Sequence, residues 1–444
     1  MADYDIAILG GGNSGRWAAS RAASWGARVA LVEAPGAWQR LAIASHTLQG
    51  LLQELPWSQL RPWIAAGLQQ DRWDTSRLVG QGIDHLEQTA QFVCDRTVSL
   101  ACGQRSIVAR RYLLTDGDWP NYRPDLLRGC GNKILSVRQL GELDSPPRRI
   151  AILGRGLPLV EWAFALSHYS QVAVISPTGA PLSSEDRDIQ RLLTRQLQQR
   201  RVRLCLCPDK IEQLGSELVI TSGDAAIRVD ALLCLPAAAA PGLSLASLGL
   251  TTSPRLTVNR YFRTSHPQVY ASGPLLGGVD RPELSRQETE AALVNALYIH
   301  HRTVRYGCAF YHIAGLSPVV RWGLTTAQAQ RRFGPEVVTV QASHLKAGAS
   351  PLQLDFCKLI LQGNQSNRIV GLHMLGSDIP SVTRILGMST GRSLTVQQLE
   401  KSQPGSNAGA LTKTLEYIRQ RRWQPDTWRR DWSENWLNWQ RSRH

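Results

Sequence analysis

Residues 3–33 read DYDIAILGGGNSGRWAASRAASWGARVALVE, and this stretch decides the fold. The apolar run ending at Leu9 reads as a strand, Gly10 to Gly15 as a tight turn and the alanine-rich run as a helix. A second strand follows and ends at Glu33. Gly10, Gly12 and Gly15 form GxGxxG, with Asn13 and Ser14 between the last two glycines. One glycine permits the turn, one lets backbone approach a diphosphate, and one lets helix pack on strand. The diphosphate would lie at the positive helix N-terminus. Glu33 stands 23 residues after Gly10, where a carboxylate holds the ribose hydroxyls of an adenosine. The stretch therefore predicts a site for an adenine dinucleotide.

Outward from it, residues 148–177 (RRIAILGRGLPLVEWAFALSHYSQVAVISP) repeat the plan with Gly154 and Gly156. Here Leu159 takes the third small position and Ser176 the acid's place, so a Rossmann domain retained for its structure is the expectation. Residues 307–400 change to strand-like and then helix-like runs, the pattern of an α+β domain. The fold class expected is α/β: two doubly wound Rossmann-like domains plus a C-terminal α+β dimerisation domain. The boundaries expected are 1–147 with 255–305, then 148–254, 306–420, and a Trp/Arg-rich helix over 421–444.

The chain has 444 residues, 43% hydrophobic and 19% charged, a composition too apolar for wholesale disorder. Lys+Arg number 50 against 35 Asp+Glu, giving +15, yet no nucleic-acid-binding module is legible and none is expected. The eight cysteines show no CxxC and no metal-ligand spacing, which excludes a disulfide scaffold and a structural zinc domain. No metal site is expected. Cys205 and Cys207 alternate along a strand and are expected on one face. His300 and His301 are expected as a solvated helix cap.

With these motifs the sequence resembles the pyridine nucleotide–disulfide oxidoreductases, such as glutathione reductase, dihydrolipoyl dehydrogenase and mercuric reductase. The likeness runs to about residue 418. It is carried by DYDIAILGGGNSG with Glu33, ILGRGLPLVEWA (152–163), VNRYFRTSHPQVYASG (258–273), WGLTTAQAQ (322–330) and DFCKLILQG…RIVGLHMLG (355–376). The resemblance implies FAD at the first site, NAD(P)H at the second and a homodimer through the third domain. It also implies a CxxxxC motif with a nearby lysine soon after Glu33. Here APGAWQRLAIASHTLQG follows, the first cysteine is Cys94 and the first lysine Lys133. The lysine's partner in the family corresponds to Glu161, the one residue expected near the flavin. The family's HPxxxE corresponds to Gln403–Ala408, where Gln403 cannot shuttle a proton. Gly273 is kept, but Pro274 replaces the aspartate that reaches the ribityl chain, and the flavin-side turn reads Thr115-Asp116-Gly117.

The function expected is a FAD-binding flavoprotein without dithiol chemistry, an oxidoreductase with a non-thiol acceptor. The alternative is an inactive homologue serving as a scaffold or an assembly or regulatory factor. In the tail, Trp428, Trp432, Trp436 and Trp439 recur on one helical face, and residues 419–444 hold seven arginines against three acids. That face would fold back on the protein, dock into a protein partner or lie at a membrane interface. The location expected is cytoplasmic, with peripheral contact at the cytoplasmic face of a membrane as an extension.

Overall fold

The computed structural model describes residues 2–71, 73–94, 97–115, 124–154, 156–177, 179, 182, 185–235, 244–251, 256–276, 282–304, 310–313, 319–345, 354–363, 368–376, 394–401, 409–421, 432 and 435–436. The chain divides into two compact units: 1–184 with 197–304, and 185–196 with 305–444.

The first unit begins β1 (Tyr4–Leu9), α1 (Asn13–Ser24), β2 (Val29–Glu33), α2 (Ala37–Leu52), β3 (Asp84–Glu87), β4 (Ala109–Leu114). It continues β5 (Ile134–Leu135), β6 (Arg149–Leu153), α3 (Gly156–Leu166), β7 (Gln171–Ser176). Next come α4 (Arg187–Gln199), most of which belongs with the second unit, β8 (Arg203–Leu206), β9 (Ala231–Cys234), β10 (Val269–Ala271) and α5 (Pro282–Leu297). Two parallel sheets result, ordered β10-β4-β1-β2-β3 and β8-β7-β6-β9-β5. Both central strands are continuous apolar runs because helices or loops cover both faces of such sheets. Ile6, Ile8 and Leu31 pack on α1 and α5, while Ala7, Leu9 and Val32 face a second cluster that includes Phe92, Leu100 and Tyr112.

Tyr112 is the polar pin of that second cluster. Its hydroxyl donates to Val98 O at 2.8 Å and accepts from Ala109 N at 3.0 Å, and Phe92 meets its ring edge-on at 5.3 Å. Tyr112→Phe leaves a buried N–H and C=O without that partner. It is expected to cost about 1–2 kcal/mol, read as a lowered urea midpoint.

One expectation is corrected in this unit. Cys205 is buried on β8, but Cys207 is exposed past the strand's end, at φ +52° with its N–H on Ser176 O, so the pair does not share a face. His300 and His301 are exposed just past the end of α5, as expected, and His300 also stacks on Tyr261 at 5.7 Å and bonds the Tyr270 hydroxyl at 2.5 Å.

In the second unit, β11 (Phe310–Ile313), β12 (Val319–Gly323), β13 (Val337–Leu345), β14 (Leu354–Gln362) and β15 (Arg368–Leu375) form an antiparallel sheet. Its strand order is β11-β12-β15-β14-β13. Helices α6 (Thr326–Phe333) and α7 (Ala410–Arg421) accompany it, and Leu411, Leu415 and Ile418 of α7 enter its core beside Leu359 and Leu372. Lys358 Nζ, buried on β14, donates to Asp186 at 2.8 Å and Asp188 at 2.6 Å at the start of α4. Thr326 donates to the same Asp186 carboxylate through its backbone at 2.9 Å and its hydroxyl at 2.7 Å. Burial alone would push the Asp186 carboxyl up. The Lys358 and Thr326 hydrogen bonds outweigh it and hold the group below the ordinary carboxylate range.

Candidate dinucleotide site

The first glycine turn has the geometry its sequence requires. Gly10 sits at φ +132°, and a Cβ on Gly15 would lie 1.9 Å from Gly10 O and 2.7 Å from the Thr115 hydroxyl. No side chain larger than hydrogen can occupy position 15. Gly12 precedes α1 in extended conformation and supplies no side-chain cap. Asn13 is exposed and Ser14 half-buried, so the positive helix end stands open to an anion.

Glu33 ends β2 beneath this turn, 4% exposed, and its surroundings were not legible in the sequence. Its Oε1 accepts from the Arg16 guanidinium and lies 2.6 Å from His85 Nε2 on β3. Arg16, only 1% exposed, also donates to Gly11 O at 3.1 Å, Trp73 O at 2.7 Å and Thr75 Oγ1 at 3.2 Å. Its guanidinium lies 4.8 Å from the centre of the Trp38 ring. Burial pushes the Arg16 guanidinium down, and Glu33 opposes that. The other carboxylate oxygen, Oε2, is buried with no hydrogen-bond partner, and a Cβ on Gly11 would fall 1.5 Å from it. An arginine one position past GxGxxG was the sequence signal for this cluster.

At the far end of the turn, Gly273 sits at φ +74° after β10 and donates its N–H to the buried Glu288 carboxylate of α5 at 2.8 Å. Pro274 follows in a single helical turn. Gly117 and Asp116 lie outside the described residues, as do Gln403 to Ala408.

The second turn is shaped differently. Gly154 follows β6, and Gly156 opens α3 at φ +72°. Leu159 is fully buried, and its Cδ1 and that of Leu235 would stand 3.4 and 3.3 Å from a Cβ on Gly154, so leucine side chains line this turn. Ser176 is fully buried, its hydroxyl without a partner. Glu161 is half-buried on α3. A cleft of about 1060 Å³ opens elsewhere, past the N-terminal ends of β1 and β4, lined among others by Asp5, Trp25, Arg110, Arg111 and Tyr298. Parallel sheets bind ligands beyond the opposite ends of their strands.

In the sequence no cysteine follows Glu33 before Cys94: α2 starts four residues after Glu33 and contains none. Among the described residues all cysteines are free. Burial pushes the thiols of Cys102, Cys130 and Cys205 up, and those of Cys234 and Cys357 up to about 12. No cluster of three or more metal-ligating side chains occurs among the described residues.

The buried, unpartnered Oε2 of Glu33 fits a missing hydroxyl donor, and the open helix end fits a diphosphate. Gly10, Gly12, Asn13, Ser14, Gly15 and Glu33 are therefore the residues that would hold an adenine dinucleotide.

Residues 4–292 match the family described as "Pyridine nucleotide-disulphide oxidoreductase". Among curated relatives, a glutathione reductase of Nostoc sp. is 24% identical, with 86% of this chain and 92% of the relative covered. A Staphylococcus aureus mercuric reductase is 23% identical, covering 90% of this chain and 79% of its own. The Escherichia coli HOCl-induced flavoprotein disulfide reductase RclA superposes with a TM-score of 0.75 at 21% identity, over 93% of this chain and 99% of that one. LpdA from Mycobacterium tuberculosis gives 0.75 at 19%, over 94% and 99%.

Proposed function

Because the chain belongs to the pyridine nucleotide-disulphide oxidoreductase family, we propose that it is a FAD-binding oxidoreductase that passes electrons to a non-thiol acceptor. The family is FAD-dependent, with NAD(P)H as reductant, and its members are typically homodimers. The observation that carries the reading is the junction after Glu33. Helix α2 begins at Ala37, and no cysteine occurs before Cys94. A dithiol mechanism needs one thiolate to attack the substrate and a second to contact the flavin.

Bound FAD would supply a two-electron acceptor that can release its electrons singly or in pairs. The chain's part is to bind and orient it. The uncapped start of α1 would hold the diphosphate, Glu33 would accept a ribose hydroxyl, and the close approach of Gly15 to Gly10 O fixes the turn. Residues 306–420 are the proposed dimer-forming domain.

The test is spectroscopic and catalytic. Purified protein is expected to show flavin absorbance and no turnover with glutathione disulfide, lipoamide or Hg(II). Robust reduction of any of these would defeat the dithiol-free reading, and a colourless protein that takes up no FAD would defeat the flavoprotein reading.

The scaffold reading is favoured by one observation. Trp432 and Trp436 stack at 5.8 Å while remaining 60% and 45% exposed, a surface suited to a partner or a membrane interface. Trp428 and Trp439 of the same stripe lie outside the described residues. No helix among the described residues is long and apolar enough to cross a membrane.

A further inference from the structure

We propose that the cleft past the N-terminal ends of β1 and β4 is a second binding site, for a small organic anion built on a flat aromatic ring. Strand β1 runs from this cleft to the first glycine turn, so its six residues set the two places about 20 Å apart. The cleft lies wholly in the first unit, and its volume of about 1060 Å³ is at the upper end of the range for small-molecule sites.

Charge gives the sign of the ligand. Arg110 and Arg111 line the cleft, and the acid of the lining, Asp5, is already engaged. It accepts from the Arg28 N–H at 2.9 Å, and its carboxylate lies 3.7 Å from the Arg28 guanidinium and 4.0 Å from that of Arg110. Helices α1 and α5 both end here, before Trp25 and Tyr298, and each helix C-terminus carries about half a negative charge. Such ends are why parallel sheets take anions at the other end of their strands. Here Arg21 and Arg28 stand beside Arg110 and Arg111, and the four outweigh Asp3, Asp5 and the two helix ends.

Aromatic rings give the shape. Trp25 and Tyr298 meet at 5.8 Å with their planes tilted by 59°, and the Arg21 guanidinium lies 5.2 Å from the centre of the Trp25 ring. Tyr298 remains 59% exposed at the cleft's edge. A phenol ring for stacking and guanidinium forks for oxygens match the two halves of an aromatic carboxylate, sulfonate or phosphate ester. His266 adds a neutral donor: its Nδ1 accepts from the Gln268 N–H at 3.3 Å, which leaves the ring proton on Nε2.

The experiment titrates the full chain, with FAD present, by calorimetry with three probes. Naphthalene sulfonate has ring and charge, naphthyl methanol the ring alone and methanesulfonate the charge alone. One naphthalene sulfonate per chain is expected, bound roughly tenfold or more tightly than either fragment, since each lacks half of the contacts. Arg111→Gln is expected to weaken it about tenfold, the worth of one charge-assisted hydrogen bond. Arg110→Ala removes an exposed partner and is expected to cost about threefold to fivefold, and Tyr298→Ser about threefold.

A measurement on the unaltered protein fixes the place. Cys94 is an exposed free thiol in the cleft wall, and Cys207 is an exposed free thiol outside it. Saturating naphthalene sulfonate is expected to suppress alkylation of Cys94 by iodoacetamide, read by mass spectrometry of its peptide, and to leave Cys207 unchanged. Preference for the ring-bearing anion together with protection of Cys94 supports the site. Equal binding of naphthyl methanol, binding that leaves Cys94 unprotected, or no binding of naphthalene sulfonate overturns it, and none of these outcomes bears on the flavoprotein reading.

Discussion

Lys358→Met is expected to destabilise the second unit by about 3–5 kcal/mol, the usual cost of removing one partner from a buried ion pair. Lys358 and Asp186 expose 7% and 2% of their side chains, so after the substitution the Asp186 carboxylate keeps only neutral donors, Thr326 and the Asp188 backbone N–H, in a poorly solvated place. The double variant Lys358→Met/Asp186→Leu is expected to regain part of the loss, because apolar replacement of a buried pair is often close to neutral while the Thr326 and Asp188 donors lose their acceptor. Urea unfolding of the three proteins checks this, and a single-variant loss under about 1 kcal/mol would show the pair to be solvated. The pH dependence has a definite sign. The folded-state pKa of Asp186 is depressed. Its contribution is complete above the unfolded carboxylate value near 3.9 and falls away as pH drops toward the folded value. Wild type is therefore expected to lose stability below about pH 4 more steeply than the double variant.

Gly15→Val is the second large effect. The nearest obstacle to its Cβ is backbone, Gly10 O at 1.9 Å, so α1 must move off β1. Overpacking of this kind costs about 1–3 kcal/mol. The larger consequence is at the helix end, where displacement takes the first-turn N–H groups away from the diphosphate. Each charge-assisted bond lost is worth about 1.5–3 kcal/mol, so FAD affinity is expected to fall by roughly 100-fold or more. Fluorescence titration with FAD measures it. Unchanged uptake by a folded Gly15→Val protein would place the dinucleotide somewhere other than this turn.

The sequence by itself determined the two parallel βαβ beginnings and the first glycine turn. The reason is that these are local: strand, turn and helix follow within about 30 residues, and Gly15 is fixed by an oxygen five residues before it. The cysteine-free stretch between Glu33 and Cys94 was legible for the same reason, since it is read by counting along the chain. What the tertiary structure alone decided is who holds the charges. Arg16 and His85 reach Glu33 from 17 and 52 residues away, and Lys358 reaches Asp186 across 172. Such pairings depend on which strands lie side by side, and nothing in hydrophobic periodicity encodes them. The Cys205–Cys207 pair failed in the same way: alternation holds only while the strand continues, and a positive φ at Cys207 turned one thiol out. The turn was written in the sequence, whereas the His85 partner of the carboxylate beneath it came from the packing of β3 beside β2.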